Sequence, residues 1–181
     1  DAARGRPLGA RRIADVPVDG RAPPNPPALL TDLYQLTMLQ AYFSEGTTEA
    51  AVFDLFVRRL PEKRNYLVVC GIESVLDYLE NIRFEADDIE YLARLGPFTP
   101  DFLDHLSSFR FGGDVYAMHE GTVFFADEPV VEVIAPLPQA QLVETYLLNQ
   151  ITFQSVAATK ASRVVTAARG LTAQYDRHVR L

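Results

Sequence analysis

Apolar positions change period several times along this chain, and each change marks an element. Between residues 29 and 43, Leu33, Leu36, Leu39, Tyr42 and Phe43 approximate a helical stripe with Met38 beside it. Thr31 or Asp32 is placed to cap that helix, and Gly46 suits its left-handed stop. Between 49 and 59 the period drops to two: Ala51, Phe53, Leu55 and Val57 share one face, Asp54 and Arg58 the other, as in a strand. A second apolar strand is predicted over 66–70. After Gly71 a helix carries Ile72, Val75, Leu76, Leu79 and Ile82 on one side. Two short helices follow over 87–95 and 100–107, the latter with Pro100 in its first turn, where a missing N–H costs nothing.

From 109 to 135 the runs are short and extended (114–118, 122–125 and 130–135), split by Gly112-Gly113, Glu120-Gly121 and Asp127-Glu128-Pro129. That punctuation predicts a small compact β unit. A long helical region then runs over 139–169. Its apolar face is Leu142, Val143, Tyr146, Leu147 and Ile151, the small residues Ala157, Ala158 and Ala161 would let another element approach, and a bend is expected at Asn149-Gln150 or Thr152. The fold class is α+β, without regular βαβ alternation. Residues 1–27 carry five arginines and a proline cluster but no apolar period, and are read as a disordered leader.

Composition narrows the chemistry. The net charge of −7 argues against nucleic acid, which needs a basic face. Cys70 is the only cysteine, so no intrachain disulfide forms and a cytoplasmic compartment is the default. No apolar run approaches the roughly 18 residues of a membrane span. His105, His119 and His178 lie far apart in sequence with no metal-ligand spacing, and no glycine-rich phosphate loop is present. Metal ligands are therefore not assigned.

Four places remain where chemistry competes with structure. The start of the first helix offers free N–H groups to an anion, and Tyr34 offers a face to a flat ring. A capped helix with Tyr34 in a core or an interface is the plainer account. Arg58 and Arg59, followed by Lys63-Arg64, suit phosphate through the guanidinium fork, or else form a solvated strand end. Arg163 points into a cleft or makes a surface ion pair. Glu144 and Asn149, set in an apolar helix, are expected in a structural hydrogen-bond network, and Asp127-Glu128-Pro129 is a turn.

Several ordered blocks carry a resemblance: Leu30-Thr31-Asp32-Leu33-Tyr34-Gln35-Leu36-Thr37-Met38, Phe53-Asp54-Leu55-Phe56-Val57-Arg58-Arg59-Leu60-Pro61, Asn65-Tyr66-Leu67-Val68, Glu120-Gly121-Thr122, Asp127-Glu128-Pro129, and residues 135–150. Over 29–170 the chain resembles the N-terminal part of the nicotinate phosphoribosyltransferase family, in its bacterial form. The resemblance implies a type II phosphoribosyltransferase N-terminal domain over 28–138. A helical region at 139–170 would lead toward an incomplete α/β barrel, followed by a divergent tail at 171–181. It implies a reaction that joins nicotinate to phosphoribosyl pyrophosphate for NAD biosynthesis, driven by ATP with Mg²⁺, with no bound organic cofactor. A homodimer with shared active sites is part of that expectation. Tyr34 matches the tyrosine that stacks on the pyridine ring, Asp32 its neighbouring acid, and Arg58, with Arg59, an arginine reaching toward phosphates.

The resemblance stops after Arg169-Gly170. The family continues there into an Asp-Phe-Gly-x-Arg-Arg segment, and later into the segment that holds its phosphorylated histidine. His178 sits in no such motif, so no catalytic residue is assigned. The chain is expected to be cut short before the barrel. As an alternative to the full reaction it would then be an inactive N-terminal module for dimerisation and substrate lining, or belong to a relative that uses nicotinamide or quinolinate.

Overall fold

The computed structural model describes residues 28–60 and 62–168; the expected leader and tail lie outside them. In chain order the elements are α1 (Leu33–Glu45), β1 (Ala50–Phe56), β2 (Leu67–Val68), α2 (Ile72–Asn81), α3 (Ala86–Leu95), α4 (Pro100–Ser107), β3 (Asp114–Ala117), β4 (Val123–Phe124), β5 (Pro129–Pro136), α5 (Leu137–Leu142) and α6 (Glu144–Ala167). The architecture is mixed α+β, as the sequence pattern implied.

The period-two segments pair across long sequence distances. β5 is the central strand of an antiparallel sheet ordered β1-β5-β3. Phe53 stands opposite Val133 and Leu55 opposite Val131, so these apolar residues share the face on which α5 lies. On the other face Asp54 is opposite Glu132, and Val52 and Phe56 are exposed. β2 pairs instead with β4, Leu67 opposite Phe124.

The segment 109–135 is therefore not a β unit of its own. β3 pairs with β5, but β5 also pairs with β1, and β4 pairs with β2. Alternation identifies a strand but carries no information about its partner, which is set by which apolar faces meet in the core.

The helical region differs from expectation as well. It is broken at Val143, and Asn149, Gln150 and Thr152 lie inside the unbroken α6. The side chains of Glu144 and Thr145 are bonded to α1 and Val143 is wholly buried, so tertiary contacts set the break there. Asn149 and Thr152 are exposed and impose no bend.

The small residues that let α6 approach its neighbours are Ser155 and Thr159, both buried, while Ala157 and Ala161 face outward. The hydroxyls are there for a reason. Thr159 Oγ1 accepts the Val68 N–H at 2.9 Å and Ser155 Oγ accepts the Cys70 N–H at 3.1 Å. Ser162 Oγ lies 3.1 Å from the Tyr66 hydroxyl. A stripe of helix hydroxyls thus satisfies the backbone of β2 and the residues beside it, as a neighbouring strand would.

Two further contacts lock this layer. Gly71 takes φ +106°, and a Cβ there would stand 3.0 Å from the Gln150 carbonyl oxygen, so the chain passes α6 where only glycine fits. Glu120 Oε1 accepts the Gly71 and Ile72 N–H groups at 2.9 and 2.7 Å and caps α2 from the β3–β4 connection. No helix among the described residues is long and apolar enough to cross a membrane.

Thr159→Val keeps the shape and removes the acceptor for the Val68 N–H. It should cost about 1–3 kcal/mol of unfolding free energy, read from urea denaturation. Ala157→Ser, on the exposed side of the same helix, should stay within about 0.5 kcal/mol of the parent.

Candidate functional site

α1 opens with Asp32 as N-cap, in extended backbone, and Gln35 at the third helical position completes a reciprocal capping box. The Gln35 N–H donates to the Asp32 main-chain carbonyl at 3.0 Å.

Gln35 is only 1% exposed and reaches across to the start of α6. Its Nε2 donates to Glu144 Oε2 at 3.1 Å. Its Oε1 accepts from the Thr145 hydroxyl at 2.8 Å, from the Asp32 N–H at 3.4 Å and from the Thr31 hydroxyl. Thr145 Oγ1 also lies 3.0 Å from Asp32 Oδ2. Glu144 sits in a structural network, as expected for a polar group set in an apolar helix. Asn149 differs: it is exposed on α6, with its Oδ1 accepting from Gln150 Nε2 at 3.2 Å.

Outward from this network lies an open groove of about 750 Å³ between the start of α1 and the first half of α6. Asp32 and Tyr34 form one wall; Glu144, Thr145, Leu148, Asn149, Thr152, Phe153 and Val156 form the floor and the other wall. Tyr34 is 53% exposed and Phe153 is 74% exposed, so two aromatic faces are left to whatever enters. Helical spacing explains the display: Tyr34 and Gln35 are about 100° apart around α1, so burying one turns the other outward.

Asp32 and Tyr34 are brought together; the arginines are elsewhere. Arg58 and Arg59 are exposed in the bend that follows β1, where the Asp127 N–H donates to the Val57 carbonyl at 2.9 Å. Arg163 is exposed on α6, two turns or about 10 Å past Val156. Among the described residues the groove lining holds two carboxylates and no Arg, Lys or His. Asp127 takes φ +62° and Glu128 Oε2 accepts the Phe125 N–H at 2.8 Å, so this acidic pair makes a turn, as its residue types indicate.

Gln35, Thr145 and Phe153 were not singled out from the sequence. Gln35 was findable, because an acid followed three positions later by Gln before an apolar run is a capping-box pattern. Phe153 carried only a weak signal, a large apolar residue off the buried stripe of α6.

Behind the groove, Tyr146 on α6 stacks on Tyr78 of α2, with ring centroids 3.7 Å apart and an interplanar angle of 7°. The Tyr78 hydroxyl is buried without a hydrogen-bond partner. Burial, and then the neighbouring Tyr146, push its pKa well above the ordinary tyrosine value. Burial, and then the Glu120 carboxylate, likewise push the Cys70 thiol up, which keeps it protonated at neutral pH.

Comparison with known proteins gives the chain's family. The nicotinate phosphoribosyltransferase (NAPRTase) N-terminal domain matches residues 29–152, a span that includes every groove residue except Phe153 and Val156. The chain belongs to the nicotinate phosphoribosyltransferase family. It is 53% identical over 143 residues to a nicotinate phosphoribosyltransferase of Mycobacterium tuberculosis, covering 79% of this chain and 31% of that protein. It is 44% identical over 138 residues to the nicotinate phosphoribosyltransferase of Bacillus subtilis, covering 76% and 28%.

The crystal structure of human nicotinic acid phosphoribosyltransferase superposes with a TM-score of 0.71 at 35% identity, covering 77% of this chain and 29% of that one. The chain thus spans about a third or less of these relatives' length.

Folded Tyr78 holds a proton that the unfolded chain releases near pH 10. Its contribution to stability is complete below that pH and is lost as pH rises through it. Tyr78→Phe should leave neutral-pH stability unchanged or raise it by up to about 1 kcal/mol, since an unpartnered hydroxyl is removed. It should also flatten the alkaline loss, read as thermal midpoints between pH 8 and 11.

Proposed function

We propose that this chain is the substrate-lining N-terminal part of an enzyme that joins nicotinate to phosphoribosyl pyrophosphate and supplies nicotinate mononucleotide for NAD biosynthesis. The observation that carries the proposal is the groove itself: Tyr34 and Phe153 exposed over a lining that, among the described residues, has two acids and no cation. Aromatic faces suit a flat pyridine ring in offset or edge contact. A nicotinate carboxylate beside Asp32 and Glu144 needs a positive group from elsewhere. A second copy of the chain in a homodimer, or protein outside the described residues, would supply it. Arg58 and Arg59 have the fork geometry for phosphate and stand exposed for that role, with Arg163 as a third candidate. The domain division at 138, the shared-site dimer and a cytoplasmic setting belong to the same proposal.

ATP and Mg²⁺ go with this reaction as part of the same proposal. No group of three or more His, Cys, Asp or Glu among the described residues comes together to hold a metal ion. This chain's part is to bind and orient the ring, not to move the phosphoryl or ribosyl group.

The acidic lining supports one second reading, a relative that takes the uncharged nicotinamide ring. Titrating the chain with nicotinate, nicotinamide and quinolinate, followed by thermal midpoint, separates the readings, because a ligand of the folded state raises its stability by about 2.7 kcal/mol at a hundredfold excess over Kd. Nicotinate is expected to shift the midpoint. Tyr34→Ala should abolish that shift while changing ligand-free stability by no more than about 0.5 kcal/mol. Supplied with nicotinate, phosphoribosyl pyrophosphate, ATP and Mg²⁺, the isolated chain should release no nicotinate mononucleotide, and its chromatographic detection would overturn the module reading.

A further inference from the structure

We propose that Gln35 is the positioning residue of the ring wall: its buried amide sets the rotation of α1 and so fixes where Tyr34 and Asp32 stand over α6. This rests on the groove being the ring site.

Leu36 and Leu39 bury one face of α1, and Gln40 ties its later turns to the start of α4, donating to the Pro97 carbonyl at 3.0 Å and accepting the Thr99 N–H at 2.7 Å. Gln35 supplies the directional contact at the Tyr34 end. It neighbours Tyr34 in the first turn and points about 100° away around the helix, into the structure, with Glu144 and Thr145 of α6 as its partners. The leverage is large. Side-chain tips lie about 5–6 Å from a helix axis, so a 20° rotation of α1 carries the Tyr34 ring about 2 Å across the groove. A misplacement of about 1 Å can cost on the order of a hundredfold in rate where a group must be aligned.

The network also has a polarity. An ionised Glu144 accepts only from the Nε2 end of the amide, at 3.1 Å. The Oε1 end is then left to the Thr31 and Thr145 hydroxyls and the Asp32 N–H. A reversed amide would set its carbonyl against the carboxylate. Thr145 has one hydroxyl proton and two acceptors, Gln35 Oε1 at 2.8 Å and Asp32 Oδ2 at 3.0 Å, so it links the Asp32 rim to the same amide. Capping alone explains the Asp32–Gln35 contacts but not the reach to α6.

The test uses the 181-residue chain carrying 3-fluorotyrosine, with the Tyr34 fluorine resonance assigned through Tyr34→Phe. Gln35→Glu sets a carboxylate against Glu144 and should move the Tyr34 resonance while leaving that of Tyr78, in the core, in place. Combining it with Glu144→Gln lets acid and amide trade places and should return the resonance to its parent position. An unmoved signal in the single variant, or no return in the double, overturns the proposal.

If Gln35→Glu does not fold, Thr145→Val decides by the same signal, since it removes one hydroxyl: displacement supports positioning and an unchanged resonance refutes it. Adding nicotinate afterwards tests the ring site separately. A parent chain whose Tyr34 signal ignores nicotinate refutes the ring-site reading, whatever the ligand-free spectra show of Gln35. A nicotinate response lost in Gln35→Glu and regained in the double variant supports both.

Discussion

The backbone donors of Val68 and Cys70 face a helix, and the rest of this structure depends on how that helix meets them. Buried N–H groups must be paired, and α6 has no backbone donors or acceptors to spare. The hydroxyls of Ser155 and Thr159 fill the role from the helix side. To do so α6 must lie close, and closeness demands the glycine at 71 beneath the Gln150 carbonyl. Once α6 is seated along β2 and α2, its N-terminal end is set at the start of α1, where Glu144 and Thr145 receive the Gln35 amide. One helix therefore joins the small sheet, α2 and the helix that displays Tyr34.

Electrostatics then shape what the groove can do. Helix starts often attract anions, but here the N-cap is itself an acid, Asp32, in a capping box with Gln35. With Glu144 on the opposite side, the groove has aromatic walls and an acidic lining. Such a surface offers stacking and orientation and leaves charge neutralisation to other groups. Arg58 and Arg59, which the resemblance picks out, do not line it, and neither does Arg163. The chain covers less than a third of the length of the Mycobacterium tuberculosis, Bacillus subtilis and human relatives described above.

Much of the fold was legible because periodicity is local. The first helix, the strand at 50–56 and the helix beginning at Pro100 follow from the spacing of Leu33, Leu36 and Leu39, from the alternation of Phe53 and Leu55, and from Thr99-Pro100. Strand partners were not legible. The alternation of 130–135 states which residues share a face, but its pairing with 51–56 lies some 80 residues away and is decided by core packing. The break at Val143 escaped for the same reason, since it comes from contacts of α5 and α6 with other elements. The alanines of α6 suggested close packing, yet the approach is made on the hydroxyl side, because the surface being approached carries unpaired N–H groups as well as apolar ones.

At the candidate site, sequence by itself determined the residue types and their grouping: an acid, an aromatic and a capping amide within one turn, in blocks that mark the family. Helical geometry, which is local, also required that Tyr34 and Gln35 point in different directions. Which of them faces out, that two carboxylates meet at the groove, and that Phe153 stands across from Tyr34 were decided by tertiary structure alone. Those outcomes depend on where α6 lies relative to α1, and that placement comes from hydrogen bonds and packing between residues more than a hundred positions apart.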